Sequence, residues 1–192
     1  MSESSRSTAL PAASPIPQRN APDGLTRLYA GLNGIRLSPR DRGRVELIVR
    51  RPAEDEREVL ASGFLDTAYG LVGDGWLRRS GNRDRQVTIM NSRVAALLAD
   101  PERWPLAGDQ LYIDLDLSTA NTPPGTRLAI GRAVVEVSAD PHRPCKKFAL
   151  RYGRDALRLV NSRVGRQLNL RGLNAYVIRR GLVRPGDRVD VL

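Results

Sequence analysis

Cys145 is the only cysteine in the 192 residues, and His142, three positions earlier, is the only histidine. They share the segment ADPHRPCKKF with Arg143, Lys146 and Lys147. Cations beside a thiol favour its thiolate wherever they approach the sulfur in space. A thiolate there can act as a nucleophile, a sulfur carrier or a soft metal ligand. The alternative is an inert buried thiol, and the polar setting between Pro141 and Pro144 argues against it. A Cys-His-Asp protease arrangement is weakly supported, because no CGSCW-type signature surrounds Cys145. Single copies of Cys and His exclude an intrachain disulfide, a CxxC zinc ribbon, a protein-held iron-sulfur cluster and an HExxH site, each of which needs several ligands.

The charge points to the same segment. The chain has 31 Lys and Arg against 21 Asp and Glu, a formal charge of +10. From Arg143 to Arg180 there are eleven cations and one anion, Asp155, so this stretch carries the whole net charge. Lys146 and Lys147 are the only lysines, which confines any Schiff-base chemistry to two positions. Concentrated guanidinium groups suit phosphate oxygens, so an anion site for a phosphorylated cofactor is one reading. The solvated side of an amphipathic helix is the other. Nucleic acid is less favoured, since no helix-turn-helix, RNP or KH signature is present and aromatic residues are sparse.

The elements that must position these groups are mostly strands. The tail 1–24 is rich in Ser, Pro and Ala and reads as disordered, leaving 25–192 as one domain. RVELIVR places Val45, Leu47 and Val49 on one side, and DQLYIDLDL places Leu111, Ile113, Leu115 and Leu117 on one side. RQVTI, NAYVIRR and DRVDVL add strands, and TRLAI and RAVVEV join through Gly131. SRVAALLAD and KKFALRYGRDALRLVNS read as helices. In the latter, Lys147, Arg151, Arg154 and Arg158 share one face, with Phe148, Tyr152, Ala156 and Leu159 on another; Gly153 weakens it. Cys145 then falls near the first turn of this helix, where the dipole favours an anion. GLVGDG at 70–75 matches neither GxGxxG nor a Walker loop and reads as a turn. The fold class is mainly β with a few helices, as a barrel or strongly bent sheet. No apolar leader and no run of about 20 apolar residues is present, so the expected location is cytoplasmic.

GLVGDG, RQVTIMNS, GDQLYIDLDLS, PPGTRLAIGRAVVEVS, HRPCKKF, RYGRDALRLVNS, RGLNAYVIRRG and VRPGDRVDVL, in this order, resemble the MOSC domain, named for the C-terminal domain of molybdenum cofactor sulfurases. The likeness runs over about 70–192 and is to its small standalone members. It implies a β-barrel in which Cys145 carries sulfur as a persulfide or ligates the molybdenum of a pterin cofactor. Arg143, Lys146, Lys147, His142, Asp74 and Arg85 are then candidate cofactor contacts. Larger relatives resemble fusions with a pyridoxal-phosphate domain, for which this chain is too short, or carry a ferredoxin-type domain, whose cluster its single cysteine could not hold. The resemblance therefore implies an outside partner: a cysteine desulfurase for a persulfide carrier, or an electron-donor reductase if the protein reduces a small N-hydroxylated substrate at molybdenum. Whether the chain is an enzyme or a carrier stays open at this level. A basic nucleic-acid-binding module, which needs no role for Cys145, is the third reading.

Overall fold

The computed structural model describes residues 24–192. The tail read over 1–24 lies outside them except for Gly24, which opens helix α1 (Gly24–Ala30). After α2 (Leu32–Arg36) come β1 (Gly43–Arg50), β2 (Glu58–Val59), β3 (Gly63–Asp66) and β4 (Gly70–Leu71). The chain continues through α3 (Trp76–Arg79), β5 (Val87–Asn91), α4 (Ser92–Leu98), β6 (Leu111–Asp114), β7 (Arg127–Ile130) and β8 (Ala133–Val137). It ends with α5 (Lys146–Asn161), α6 (Arg163–Gln167), β9 (Leu173–Arg179), β10 (Gly181–Val183) and β11 (Arg188–Val191).

Seven of these strands close on themselves in the order β1, β6, β5, β9, β8, β7, β11, with β11 returning to β1. The barrel predicted from the short strands is therefore present. Closure removes the open edges that would otherwise template aggregation. Among the described residues only the β5–β6 pairing is parallel, and α4 with the 3-10 turn Pro101–Ala107 supplies the crossover that a parallel pair requires. Gly131, at φ 55, makes the tight β7–β8 connection that the sequence indicated. A separate small sheet, β10-β3-β4, carries Gly70 and Leu71, so GLVGDG is a strand end followed by a turn.

Alternation is obeyed where the ladder is regular. Leu111, Ile113, Leu115 and Leu117 all lie in the barrel core, while Tyr112 faces the helices. On β1 the register shifts between Val45 and Leu47. This bulge reverses the sides beyond it, so Val45 and Ile48 enter the barrel and Leu47 and Val49 pack outside with α1, α2, α4 and α5. The expected face of Val45, Leu47 and Val49 is thus broken by one residue.

α5 buries Phe148, Ala156 and Leu159, with Tyr152 half-buried, as the spacing predicts. Gly153 has φ 87 and ψ 170, which interrupts the helix. Lys147 and Arg151 lie before the break and Arg154 and Arg158 after it, so the expected cationic stripe is not one continuous helical face. Among the described residues no helix is long and apolar enough to cross a membrane.

Candidate functional site

The loop Ala139–Pro144 leaves β8 and delivers Cys145 to the N-cap position of α5. Its side chain makes no capping bond, and the residue is exposed. Two cavities of about 480 and about 380 Å³ share Arg51, Arg79, His142, Arg143 and Cys145 as lining residues. The larger adds Trp76, Arg85, Thr88 and Asn174, and the smaller adds Arg57, Lys147, Arg151 and Arg171. One sulfur thus borders two cavities rimmed with guanidinium groups.

The arginines are held by a buried carboxylate. Asp74, with no side-chain exposure, accepts from Arg51 Nε at 2.9 Å and Nη2 at 3.0 Å and from Arg79 Nη2 at 3.1 Å. It also accepts from the backbone N–H groups of Arg51 and Trp76. Burial alone pushes its carboxyl up, but the Arg51 guanidinium and these N–H groups hold it below the ordinary carboxylate range. Asp74 therefore orients Arg51 and Arg79 and lines neither cavity. The cations remaining in the cavity repel one another. Burial, then Arg151 and Arg51, lowers the pKa of Arg57, while burial and Arg51 lower that of Arg79. Asp74 compensates Arg51 and Arg79 in part, and Glu54 and Asp55, which line the smaller cavity, compensate Lys147 and Arg151; the excess of cations over these carboxylates is what an anion would relieve.

The other predicted contacts divide. Arg143 borders both cavities and has no hydrogen-bond or ion-pair partner among the described residues. Arg85 borders the larger cavity and pairs with Asp140 at 2.5 Å. Lys147 borders the smaller cavity, but its Nζ is engaged by Glu54 at 2.6 Å and Asp55 at 2.9 Å. Lys146 is exposed and lines neither cavity. The charge run read from 143 to 180 is also not one surface: Arg151 pairs with Asp55, Arg158 with Asp155, and Arg171 is buried.

Sequence reasoning missed Arg51, Arg79 and Asp109. Asp109, fully buried, accepts from Arg171 Nη1 at 2.7 Å, and Arg171 Nη2 donates to the carbonyl of Ala107 at 3.0 Å. The Arg171 guanidinium carbon lies 5.2 Å from the centre of the Phe148 ring, tying this pair to α5. His142 stands over the pair, its Nδ1 3.3 Å from Asp109 Oδ1. Burial, followed by Arg171, Arg51 and Arg85, pushes its pKa well below the ordinary imidazole value. These influences favour the uncharged imidazole, so a cofactor contact from His142, which borders both cavities, would be a hydrogen bond and not an ion pair.

The family model for the MOSC domain matches residues 76–190. The chain belongs to the MOSC-domain family. Among solved structures, the MOSC chain is similar to the YuaD protein from Bacillus subtilis, at 17% identity and TM-score 0.57 over 78% of this chain and 94% of that one. It is also similar to YiiM from Escherichia coli, at 22% identity and TM-score 0.53 over 78% of this chain and 69% of that one. YiiM from Geobacillus stearothermophilus matches at 16% identity and TM-score 0.55, over 78% and 75%. At these identities the likeness establishes the shared barrel alone. No curated protein matches the chain.

Proposed function

We propose that this MOSC domain binds a phosphorylated pterin cofactor carrying molybdenum in the cavities bordered by Cys145. The observation that carries the reading is the exposed, uncapped Cys145 shared by two cavities lined by Arg51, Arg79 and Arg143. The donor set fits the group. Arg143 and the outward parts of Arg51 and Arg79 would hold the phosphate through charge-assisted hydrogen bonds, and the Cys145 thiolate would be the protein's soft ligand. Among the described residues no group of three or more His, Cys, Asp or Glu is placed to hold a metal, so the rest of the coordination would come from the cofactor itself. When bound, molybdenum supplies two-electron redox chemistry, which would suit reduction of a small N-hydroxylated substrate with electrons from a separate reductase in the cytoplasm.

The test is metal and pterin analysis of protein purified from a cofactor-producing host. Molybdenum and pterin should be enriched in the wild type, metal should be lost in Cys145→Ser, and pterin should fall in Arg143→Ala. Absence of enrichment in the wild type, or metal retained in full by Cys145→Ser, would overturn the reading. The exposure of Cys145 also favours a second reading, a persulfide carrier charged by a cysteine desulfurase. In that case the thiolate attacks the desulfurase persulfide, takes its outer sulfur and leaves the desulfurase thiolate behind. Intact mass after incubation with a desulfurase should then show one added sulfur in the wild type and none in Cys145→Ser; no gain in the wild type rejects this reading.

A further inference from the structure

The two cavities that meet at Cys145 are walled differently. The larger includes Trp76, Thr88 and Asn174, a surface suited to a flat heterocycle with polar edges. Among the described residues no Trp, Tyr or Phe lines the smaller, which instead adds Arg57, Lys147 and Arg151 to the shared arginines. Arg57 is held without a carboxylate. Its Nε and Nη1 donate to the carbonyls of Pro105 and Glu56, and no Asp or Glu among the described residues pairs with it. Its Nη2 has no partner and is not among the buried unpaired atoms, so it is open to solvent. Burial, then Arg151 and Arg51, disfavour its charge, and Asp55 offsets them in part. Lys147 and Arg151 are held by two carboxylates on the loop between β1 and β2. Lys147 Nζ donates to Glu54 at 2.6 Å and to Asp55 at 2.9 Å, and Arg151 Nη2 donates to Asp55 at 2.5 Å. Glu54 and Asp55 are 78% and 58% exposed. Ion pairs this open to solvent contribute no more than about 1 kcal/mol each and are readily exchanged. A phosphate monoester carries about −1.5 to −2 charges at pH 7, close to the two charges of the carboxylates it would replace.

We propose that the smaller cavity is a phosphate site for the substrate, in which Arg57, Lys147 and Arg151 hold the phosphate group of a small phosphomonoester and Glu54 and Asp55 are its displaceable stand-ins. Cys145 borders the same cavity, so a molecule anchored by its phosphate has its remaining part beside the sulfur. The larger cavity, with Trp76, is left to the cofactor ring. The substrate class is then an N-hydroxylated compound that bears a phosphate. In the reduction its N–OH group takes two electrons from the reductase and two protons, leaving N–H and water. This substrate class rests on the cofactor reading above; the phosphate site does not.

Calorimetric titration of the full chain with phenyl phosphate, and with benzyl alcohol as the uncharged control, tests the site. The wild type should bind phenyl phosphate and not benzyl alcohol. Arg57→Gln should weaken binding about tenfold or more, the effect of one lost charge-assisted hydrogen bond. The double change Glu54→Gln with Asp55→Asn removes the stand-ins and should tighten binding by about fivefold or more. Arg158→Gln, which removes a cation paired with Asp155 outside both cavities, should change binding by less than about twofold. Bound phenyl phosphate should also slow the reaction of Cys145 with a neutral disulfide. No binding by the wild type overturns the proposal, as does equal weakening by Arg57→Gln and Arg158→Gln or a double variant no tighter than the wild type. Unslowed Cys145 overturns the placement beside the sulfur. Molybdenum and pterin analysis of the same proteins separates this proposal from the cofactor reading. Pterin retained in Arg57→Gln supports the division of the two cavities, and pterin lost from it gives the second phosphate site to the cofactor and overturns the substrate assignment. Arg57-dependent binding in a wild type that holds no molybdenum supports the phosphate site and rejects the cofactor reading with its substrate class.

Discussion

Replacing Arg171 with Met is expected to lower folding stability by about 3–5 kcal/mol, because it strands the Asp109 carboxylate in the interior. Both side chains are inaccessible, at 7% and 0% exposure, so water cannot take over the lost contacts. Burial already pushes the Asp109 carboxyl above its ordinary value, with Arg171 as the main opposing influence. Without that guanidinium the carboxyl protonates or drags water inward, and either outcome loosens the floor under His142. Urea unfolding followed by the fluorescence of Trp76 and Trp104 measures the loss. The paired change Arg171→Met with Asp109→Leu should recover most of it, since removing both charges eliminates the desolvation cost as well as the attraction. A single-variant loss below about 1 kcal/mol would mean that the pair contributes no more than a surface contact.

Asp74→Ala carries the second large effect, also about 3–5 kcal/mol. It removes the acceptor for two guanidinium groups and for the backbone N–H groups of Arg51 and Trp76 at once. Arg51 is 14% exposed and cannot swing fully into solvent, so its charge becomes a liability where it stands. By contrast, Asp155→Ala breaks only the solvent-exposed i,i+3 pair with Arg158 and should leave the unfolding midpoint unchanged within error. Comparing the two midpoints separates a carboxylate that builds the cavity from one that decorates a helix. Equal midpoints for the two variants would remove Asp74 from the architecture of the site.

What the sequence made legible follows from where the information is local. The strict period of two in DQLYIDLDL needs only its own residues, and it sorted Leu111, Ile113, Leu115 and Leu117 correctly into the core. The prolines around His142 and the helix beginning at Lys146 placed Cys145 at a loop-helix junction by local rules alone. The β1 bulge was invisible, because a register shift belongs to a pair of strands and not to either one. Arg51 and Arg79 were missed for a related reason. In an arginine-rich chain nothing local distinguishes them, and Arg51 gains its role by meeting Asp74 across 23 residues. Asp109 meets Arg171 across 62. Asp74 itself was noticed through the family pattern, but as a cofactor contact; its complete burial makes it the anchor of the contacts instead. Lys147 was read as a cofactor contact because its partners, Glu54 and Asp55, lie 93 and 92 residues away in the chain.

The Cys145 sulfur borders an arginine-lined cavity that should draw anions toward it. With a single cysteine, the rate of thiol-disulfide exchange reports that sulfur alone. The direct measurement compares an anionic aromatic disulfide with a neutral dipyridyl disulfide of similar size across a range of salt concentrations, in the wild type and in Arg143→Met. Steering by the cavity predicts that the anionic reagent gains at least about tenfold over the neutral one at low salt. That advantage should shrink as salt rises and should be reduced in Arg143→Met. Equal, salt-independent rates for the two reagents would contradict the account, because they would mean that the field of Arg51, Arg79 and Arg143 does not reach Cys145.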